Sequence, residues 1–409
     1  MSFATVSSAF QHGVVPLDVT IVMPCLNEAI SLPHCISNAD RALEEIKRRF
    51  GLEGEILIAD NGSTDGSQDI AVRLGARVIA VPRRGYGAAI IGGAEAALGR
   101  LLLIGDADGS YDFTDGVAMI ESLLKGADLC MGSRFQGGIA PGAMPWKNRY
   151  IGNPVLTGAL NLLFRSRVDD AHCGLRAITR ESFLDLQLNG QGMEFASEMV
   201  VKASLRKLRI VQTPATLSVD LRNRPPHLRP WRDGWRHLRY LVMLSPTAAF
   251  GVPALFAMGV AATILTVALL HHMGAIAGSG PFGASWTIVA GFMFSAGHFS
   301  ALMAVAAHVV GVREGYRQLR PSIGRLGRLF QLEMMLGLGA TLFIAAFVML
   351  AVIGRQWQTS DFVAPASVLP IVIAGLTGAV GLQTFLGGIV IAIVGGHSAD
   401  FLRAEGRLL

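Results

Sequence analysis

Four stretches in the second half of this 409-residue chain carry almost no charge: roughly 241–270, 285–311, 333–354 and 367–394. Each holds about 20 or more uncharged residues, enough for a helix to cross a hydrocarbon core of about 30 Å. Four such stretches in succession are hard to bury inside a soluble protein. The first half mixes charges with apolar runs, so the mean hydropathy of +0.46 averages two unlike parts. The expected organisation is a soluble domain over 1–229, an amphipathic helix over 230–240, four spans within 241–394 and a tail over 395–409.

The arginines predict the orientation. Arg313, Arg317, Arg320, Arg325 and Arg328 lie between spans two and three, and Arg222, Arg224, Arg229, Arg232, Arg236 and Arg239 precede span one. Arg403 and Arg407 follow span four, whereas the other two connections share only Arg355. The positive-inside rule then puts the soluble domain, the central loop and the C-terminus in the cytoplasm, with a bacterial inner membrane the expected location. Residues 1–15 lack a basic n-region and a long apolar core, so no cleavable signal is expected. Cys25, Cys35, Cys130 and Cys173 form no C-x-x-C pair and are expected as free thiols.

In the first half, strands are expected at 19–23, 55–59, 77–81 and 101–104, alternating with helices at 31–50, 67–74 and from 84–87 to about 97. Such alternation predicts an α/β domain with a mainly parallel sheet covered on both faces. Ligands bind such sheets beyond the carboxyl ends of the strands. Three polar motifs stand at those ends: Pro24-Cys25-Leu26-Asn27-Glu28, Asp60-Asn61-Gly62-Ser63-Thr64-Asp65-Gly66 and Asp106-Ala107-Asp108-Gly109-Ser110-Tyr111. In the first, Pro24 is expected to break the ladder and turn the chain, freeing Asn27 and Glu28 for a ligand such as ribose hydroxyls. The second reads equally well as a capped turn or as a nucleobase contact through Asp60.

The third motif says most about chemistry. Two carboxylates one residue apart at a strand end repel and raise each other's pKa unless a cation lies between them. A hard divalent ion shared with substrate phosphates removes that cost, so a metal–diphosphate site is expected. Arg84-Gly85-Tyr86-Gly87-Ala88-Ala89 opens a helix whose N-terminus would suit a phosphate. Gly132-Ser133-Arg134-Phe135 and Lys147-Asn148-Arg149 supply cations for an anionic acceptor, or merely solvated surface. Asp170-Ala171-His172-Cys173-Gly174-Leu175-Arg176 has too few ligands for zinc and reads as a turn or an acceptor-side loop. Glu194 and Glu198, at i and i+4, read as a salt-bridged face as readily as a catalytic pair. Trp231, Trp235, Leu238 and Val242 share one helical face among arginines, as in an interfacial helix beside anionic lipid that continues into span one.

Taken in order over roughly 18–240, these motifs resemble the family 2 glycosyltransferases with a GT-A fold. They look most like the polyprenyl-phosphate branch typified by dolichol-phosphate mannose synthase and undecaprenyl-phosphate glycosyltransferases. The resemblance implies a nucleotide-sugar-binding domain followed by a four-helix transmembrane region. It implies that Pro24, Leu26 and Glu28 line the nucleotide site and that Asp60 contacts the base. Asp106 and Asp108, with Ser110 beside them, would hold Mg²⁺ or Mn²⁺ on the sugar-nucleotide diphosphate. Arg134 and Arg149 would hold the phosphate of a polyprenyl-phosphate acceptor, and Arg222 and Arg229 would close over the diphosphate. Ser110 stands where some relatives place a longer polar ligand, and Arg224-Pro225-Pro226-His227 replaces a commoner glycine/serine/lysine loop.

The implied reaction is inverting transfer of a hexose from UDP- or GDP-sugar to the lipid phosphate. No nucleic-acid partner is expected, and self-association is left open. Three rival readings make different use of the same residues. A processive polysaccharide synthase would usually carry a Q-x-x-R-W motif, which is missing. A synthase acting on a lipid hydroxyl would need a general base. A lipid flippase or scaffold with a degenerate soluble domain would have no use for an intact D-x-D run.

Overall fold

Val19–Cys25 forms β1, and the register of its two ladders explains Pro24. β1 pairs in parallel with β4 (Leu101–Ile104) only through Val22, and with β2 (Gly54–Asp60) through Cys25. The Val22 carbonyl accepts from Gly105 on the β4 side, and the Cys25 carbonyl accepts from Asn61 on the β2 side. Pro24, two residues after Val22, therefore turns its missing N–H toward β4, where that ladder has already ended. Pro24 thus lies inside the strand. The expectation that it breaks the ladder is corrected, and the chain turns after Cys25.

In the computed structural model the described residues are 17–222, 230–276, 282–317, 319, 324, 327–363, 365 and 367–396. Among them, α1 (Leu32–Phe50) follows β1, α2 (Ser67–Arg73) follows β2, β3 is Arg77–Ala80, and α3 (Tyr86–Ala96) leads to β4. Then come α4 (Gly116–Leu124), β5 (Leu129–Ser133), the single turn α5 (Arg134–Gly137) and α6 (Asn153–Phe164). β6 (Arg176–Thr179), α7 (Arg180–Asp185), α8 (Phe195–Leu205) and β7 (Ile210–Pro214) complete the sheet. The strand order is β3-β2-β1-β4-β6-β5-β7. All neighbours are parallel except β6, which runs antiparallel to both β4 and β5. The central strands are buried on both faces, as in β4, which is Leu-Leu-Leu-Ile without alternation. α1 buries Leu32, Cys35, Ile36, Ala39, Ala42 and Ile46 on one face, the 3.6-residue period of an amphipathic helix. All four cysteines are buried free thiols.

α9 (Pro230–Met243) closes this unit. It buries His237 and Leu241, one turn apart, and exposes Trp235 (64%), Leu238 and Val242. α9 does not run on into the first apolar helix. Pro246 interrupts the chain, and a π-helical turn at Thr247–Gly251 leads into α10 (Val252–His272).

Among its described residues the second unit holds four helices long and apolar enough to cross a membrane: Thr247–His272, which includes α10, then α11 (Ala284–Arg313), α12 (Leu332–Thr359) and α13 (Leu369–Val394). Their outer faces expose Leu255, Phe256, Phe292 and Phe347, as lipid-facing helices do. The α12–α13 crossing relies on glycine. A Cβ on Gly339 would meet the Gly381 carbonyl at 2.7 Å, and one on Gly381 would meet the Phe343 amide nitrogen at 2.6 Å. Within the apolar bundle, His298 Nδ1 lies 2.9 Å from Gln383 Oε1, and Gln383 Nε2 donates to Ser295 Oγ at 2.9 Å. Buried polar groups in lipid require such partners.

Candidate functional site

The three polar motifs meet at the carboxyl ends of β1, β2 and β4. The first two are stitched to each other. Asn27, at φ +59°, accepts from the Thr64 amide at 2.8 Å, and its own amide donates to Ser63 Oγ at 2.9 Å. The Glu28 amide donates to Ser67 Oγ at 3.0 Å. Asn27 therefore spends its side chain inside the protein, while Pro24 and Leu26 are half-buried beside it. Asp60, 1% exposed, accepts from the amides of Gly62 and Ser63 at 3.1 and 3.2 Å and from Gln68 Nε2 at 2.6 Å. Its carboxylate shapes its own loop, the Asx-turn chemistry that the motif's turn residues favour.

The acidic run is bound more tightly and is short of cations. Asp108 Oδ1 accepts from the Ser110 amide at 2.9 Å and from Ser110 Oγ at 2.6 Å. Its Oδ2 accepts from Arg222 Nη2, and Arg222 Nη1 donates to Glu28 Oε1 at 3.4 Å. Arg222 thus joins the end of β1 to the end of β4. Asp106 Oδ1 is buried without a hydrogen-bond partner. Burial and the neighbouring charge of Asp108 push the Asp106 carboxyl up to about 6, against a hydrogen bond from Tyr86 and the charges of Arg222 and Arg176. Glu28 and Asp108 share the guanidinium of Arg222, and Asp106 feels the charges of both Arg222 and Arg176.

The segment that delivers Arg222 lies over the acidic loop. The Leu221 amide donates to the Asp108 carbonyl at 2.9 Å, and the Ser218 amide donates to the Ser110 carbonyl at 2.8 Å. Gly109, at φ +80°, lets Leu221 pass over it, since a Cβ there would meet Leu221 Cδ1 at 2.7 Å. Arg229 lies outside the described residues.

These residues fit a divalent cation in a limited sense. The orphaned Asp106 oxygen and the arginine standing among the carboxylates both mark a place for positive charge. Among the described residues no three His, Cys, Asp or Glu side chains form a complete metal cage. Two carboxylates completed by diphosphate oxygens is the ligand set Mg²⁺ commonly takes. Ser110 turns its hydroxyl to Asp108 and so supports that carboxylate.

The two acceptor arginines differ. Arg134 is 8% exposed, and Nε and Nη2 grip the two oxygens of fully buried Asp170 at 2.6 and 2.7 Å. That bidentate pair, with Tyr111 nearby, holds the guanidinium firmly protonated against its burial. Arg149 is half-buried in a π-helical turn, its guanidinium 5.5 Å from the Tyr150 ring centroid.

Other motifs resolve toward structural roles. The α3 N-terminus, suited in sequence to a phosphate, donates its Ala88 amide to the Gln191 carbonyl at 3.2 Å. Gly85 and Gly87 are glycines because the carbonyls of Gln191 and Gly190 would lie 2.1 Å from a Cβ on each. Glu198 accepts from the amides of Asn189 and Gly190 and pairs with Lys202 at 2.8 Å. Sequence reasoning missed Asn61, whose Oδ1 accepts from the Gly85 amide at 2.7 Å while Nδ2 donates to the Arg83 carbonyl at 2.7 Å. It also missed Asp170 as the partner of Arg134. An Asn inside a turn motif was the available signal for the first; nothing in the spacing announced the second.

A family model described as glycosyl transferase family 2 matches residues 20–186, and one described as the glycosyltransferase family 2 C-terminal transmembrane region matches 305–395. The low-salt glycan biosynthesis hexosyltransferase Agl6 of Haloferax volcanii is 32% identical over 378 residues, covering 92% of this chain and 89% of its own. A dolichol-phosphate mannosyltransferase of Pyrococcus furiosus is 26% identical over 212 residues, covering 50% of this chain and 58% of its own. A solved glucosyl-3-phosphoglycerate synthase of Mycobacterium tuberculosis, in complex with Mn²⁺, UDP and glucosyl-3-phosphoglycerate, aligns with 56% of this chain and 78% of its own. That alignment has 21% identity and a TM-score of 0.41.

Proposed function

Because this chain belongs to glycosyltransferase family 2, and is an integral membrane protein with a GT-A domain, we propose that it moves a hexose from a UDP- or GDP-sugar to the phosphate of a membrane polyprenyl phosphate. The observation that carries this reading is the acidic cradle of Glu28, Asp106 and Asp108, in which Arg222 pairs with Glu28 and Asp108 while Asp106 Oδ1 is buried without a hydrogen-bond partner. Such a cradle suits a donor that arrives with its own metal-bound diphosphate.

Asp106 and Asp108 would hold Mg²⁺ or Mn²⁺, and Ser110 keeps Asp108 oriented. When bound, the cation supplies charge neutralisation for the departing nucleoside diphosphate. Pro24, Leu26, Glu28 and Asp60 line the nucleotide side. Arg222, now on Asp108 and Glu28, would instead bind the diphosphate, with Arg229 the second basic residue expected there. The acceptor is already an anion, so no general base is required; what it needs is approach to another anion. Arg149 and the remaining N–H groups of Arg134 neutralise and orient it. A single in-line displacement then inverts the anomeric carbon. The catalytic domain, the central loop and the C-terminus are cytoplasmic, as the arginine distribution favours. The exposed Trp235–Leu238 face of α9 lies in the membrane interface.

The test uses purified full-length protein with Mg²⁺ or Mn²⁺, undecaprenyl phosphate and a panel of labelled sugar nucleotides. The expected product partitions into organic solvent, releases its sugar in mild acid and has an inverted anomeric centre. Label entering polymer, an acid-stable product or retained configuration overturns the reading.

A further inference from the structure

One buried polar chain has no task in the reaction above. His172 Nε2 lies 3.1 Å from Ser197 Oγ, and Ser197 Oγ lies 2.8 Å from His237 Nδ1. The two imidazoles meet edge to face with centroids 4.8 Å apart. Ser197 is fully buried and His237 is 6% exposed. The three residues come from three elements: the loop before β6, helix α8 and helix α9.

Ser197 bridges the two rings, while His172 Nδ1 is buried without a hydrogen-bond partner. A serine hydroxyl has one proton to donate and lone pairs to accept with, so it can donate to one imidazole and accept the N–H of the other. Burial, with the charges of His237, Arg134 and Arg176, keeps His172 well below its ordinary value. Buried polar groups of this kind add little net stability compared with apolar packing, but they select one geometry.

The chain continues past His172. The His172 amide donates to Asp170 Oδ1 at 3.3 Å, and Asp170 is the carboxylate that grips Arg134. The path therefore runs His237–Ser197–His172–Asp170–Arg134. At its far end, α9 turns His237 inward and exposes Trp235 and Leu238. One face of the same helix exposes Trp235 and Leu238, and the other is bonded through Ser197 of α8 to the loop that sets Arg134.

We propose that His172, Ser197 and His237 are positioning residues: a polar latch that seats the interfacial helix on the Asp170 loop and so places Arg134 for an acceptor presented by the membrane. This rests on the reading of Arg134 as an acceptor-phosphate group. The latch acts on the acceptor side, through Asp170 and Arg134.

The test uses the full chain in phosphatidylglycerol nanodiscs carrying undecaprenyl phosphate. In Ser197→Ala and His237→Leu, KM for undecaprenyl phosphate rises about tenfold, the scale of one lost buried hydrogen bond, while KM for the sugar nucleotide stays within about twofold. His237→Asn, whose amide can replace Nδ1, recovers most of the loss. Amide exchange across 232–241 accelerates about tenfold in Ser197→Ala. Equal changes in both KM values, no rescue by Asn, or unchanged exchange in Ser197→Ala overturns the latch. A wild type that transfers no sugar to undecaprenyl phosphate overturns the acceptor assignment, and amide exchange then decides the latch by itself.

Discussion

The guanidinium of Arg222 is bonded to the carboxylate of Asp108, so a side-chain cation stands beside the carboxylates proposed to hold a metal. Its other amino group reaches Glu28 at 3.4 Å. Arg222 and the metal then compete for one cradle in the nucleotide-free protein. Arg222→Met removes the competitor, and Mn²⁺ affinity without nucleotide rises about tenfold, roughly 1.4 kcal/mol. Titration of free Mn²⁺ by electron paramagnetic resonance reads this directly. Unchanged or weaker binding would refute the competition.

Asp108→Asn keeps the shape of the side chain and removes its charge. Labelled-sugar transfer falls by about 10³ or more, while the thermal midpoint stays close to wild type, because the loss lies in electrostatics at the reacting diphosphate. Turnover near wild type is incompatible with Asp108 as a metal ligand.

Breaking the buried Arg134–Asp170 pair is costly. Asp170→Ala leaves an uncompensated guanidinium at a site 8% exposed, and stability falls by about 3–5 kcal/mol. The double variant Asp170→Leu with Arg134→Met regains most of that stability without regaining transfer. Denaturant titrations of the three proteins decide the point, and a mild single-variant loss would contradict it.

The imidazole of His172 makes stability depend on pH. Its folded value lies well below the ordinary 6.5, because it is buried and faces His237, Arg134 and Arg176. The unfolded chain therefore takes up a proton first. The contribution is present above about pH 6.5 and is lost as pH falls below it, by at most about 1.4 kcal/mol per unit. Asp106 acts in the opposite sense: its folded value of about 6 exceeds the ordinary 3.8, so it stabilises as pH falls through that window. Subtracting His172→Gln from wild type cancels Asp106. The difference in unfolding free energy should shrink from pH 7.5 to 5.5, and a flat difference would show that His172 does not titrate this way.

In the apolar bundle, Gly381→Leu forces a side chain into the Gly339 and Phe343 backbone, whereas Gly375→Leu points into open space. The first lowers stability by about 1–3 kcal/mol, and the second is tolerated. Thermal unfolding in matched detergent compares them, and equal effects would deny the close crossing.

Much of the fold was legible because its signals are local. Apolar runs such as Leu101–Ile104 and Val19–Met23 name buried strands, helical periodicity names α1, and uncharged length names the apolar helices. The position of the acidic run was legible too, since it follows directly on the apolar strand Leu101–Ile104. Pro24 was misread because a proline's cost depends on which neighbouring strand its nitrogen faces. Only the sheet register decides that.

The sequence by itself therefore determined the α/β domain, the four apolar helices and the place of Asp106 and Asp108 just beyond a strand end. Composition and periodicity act within a few residues, and those features are of that range. Tertiary structure alone decided that Arg222 lies against Asp108 across 114 positions of chain, that Asp170 grips Arg134, and that His172 and His237 meet through Ser197. Each is a pairing between residues far apart in sequence, and neither partner's local pattern carries the address of the other.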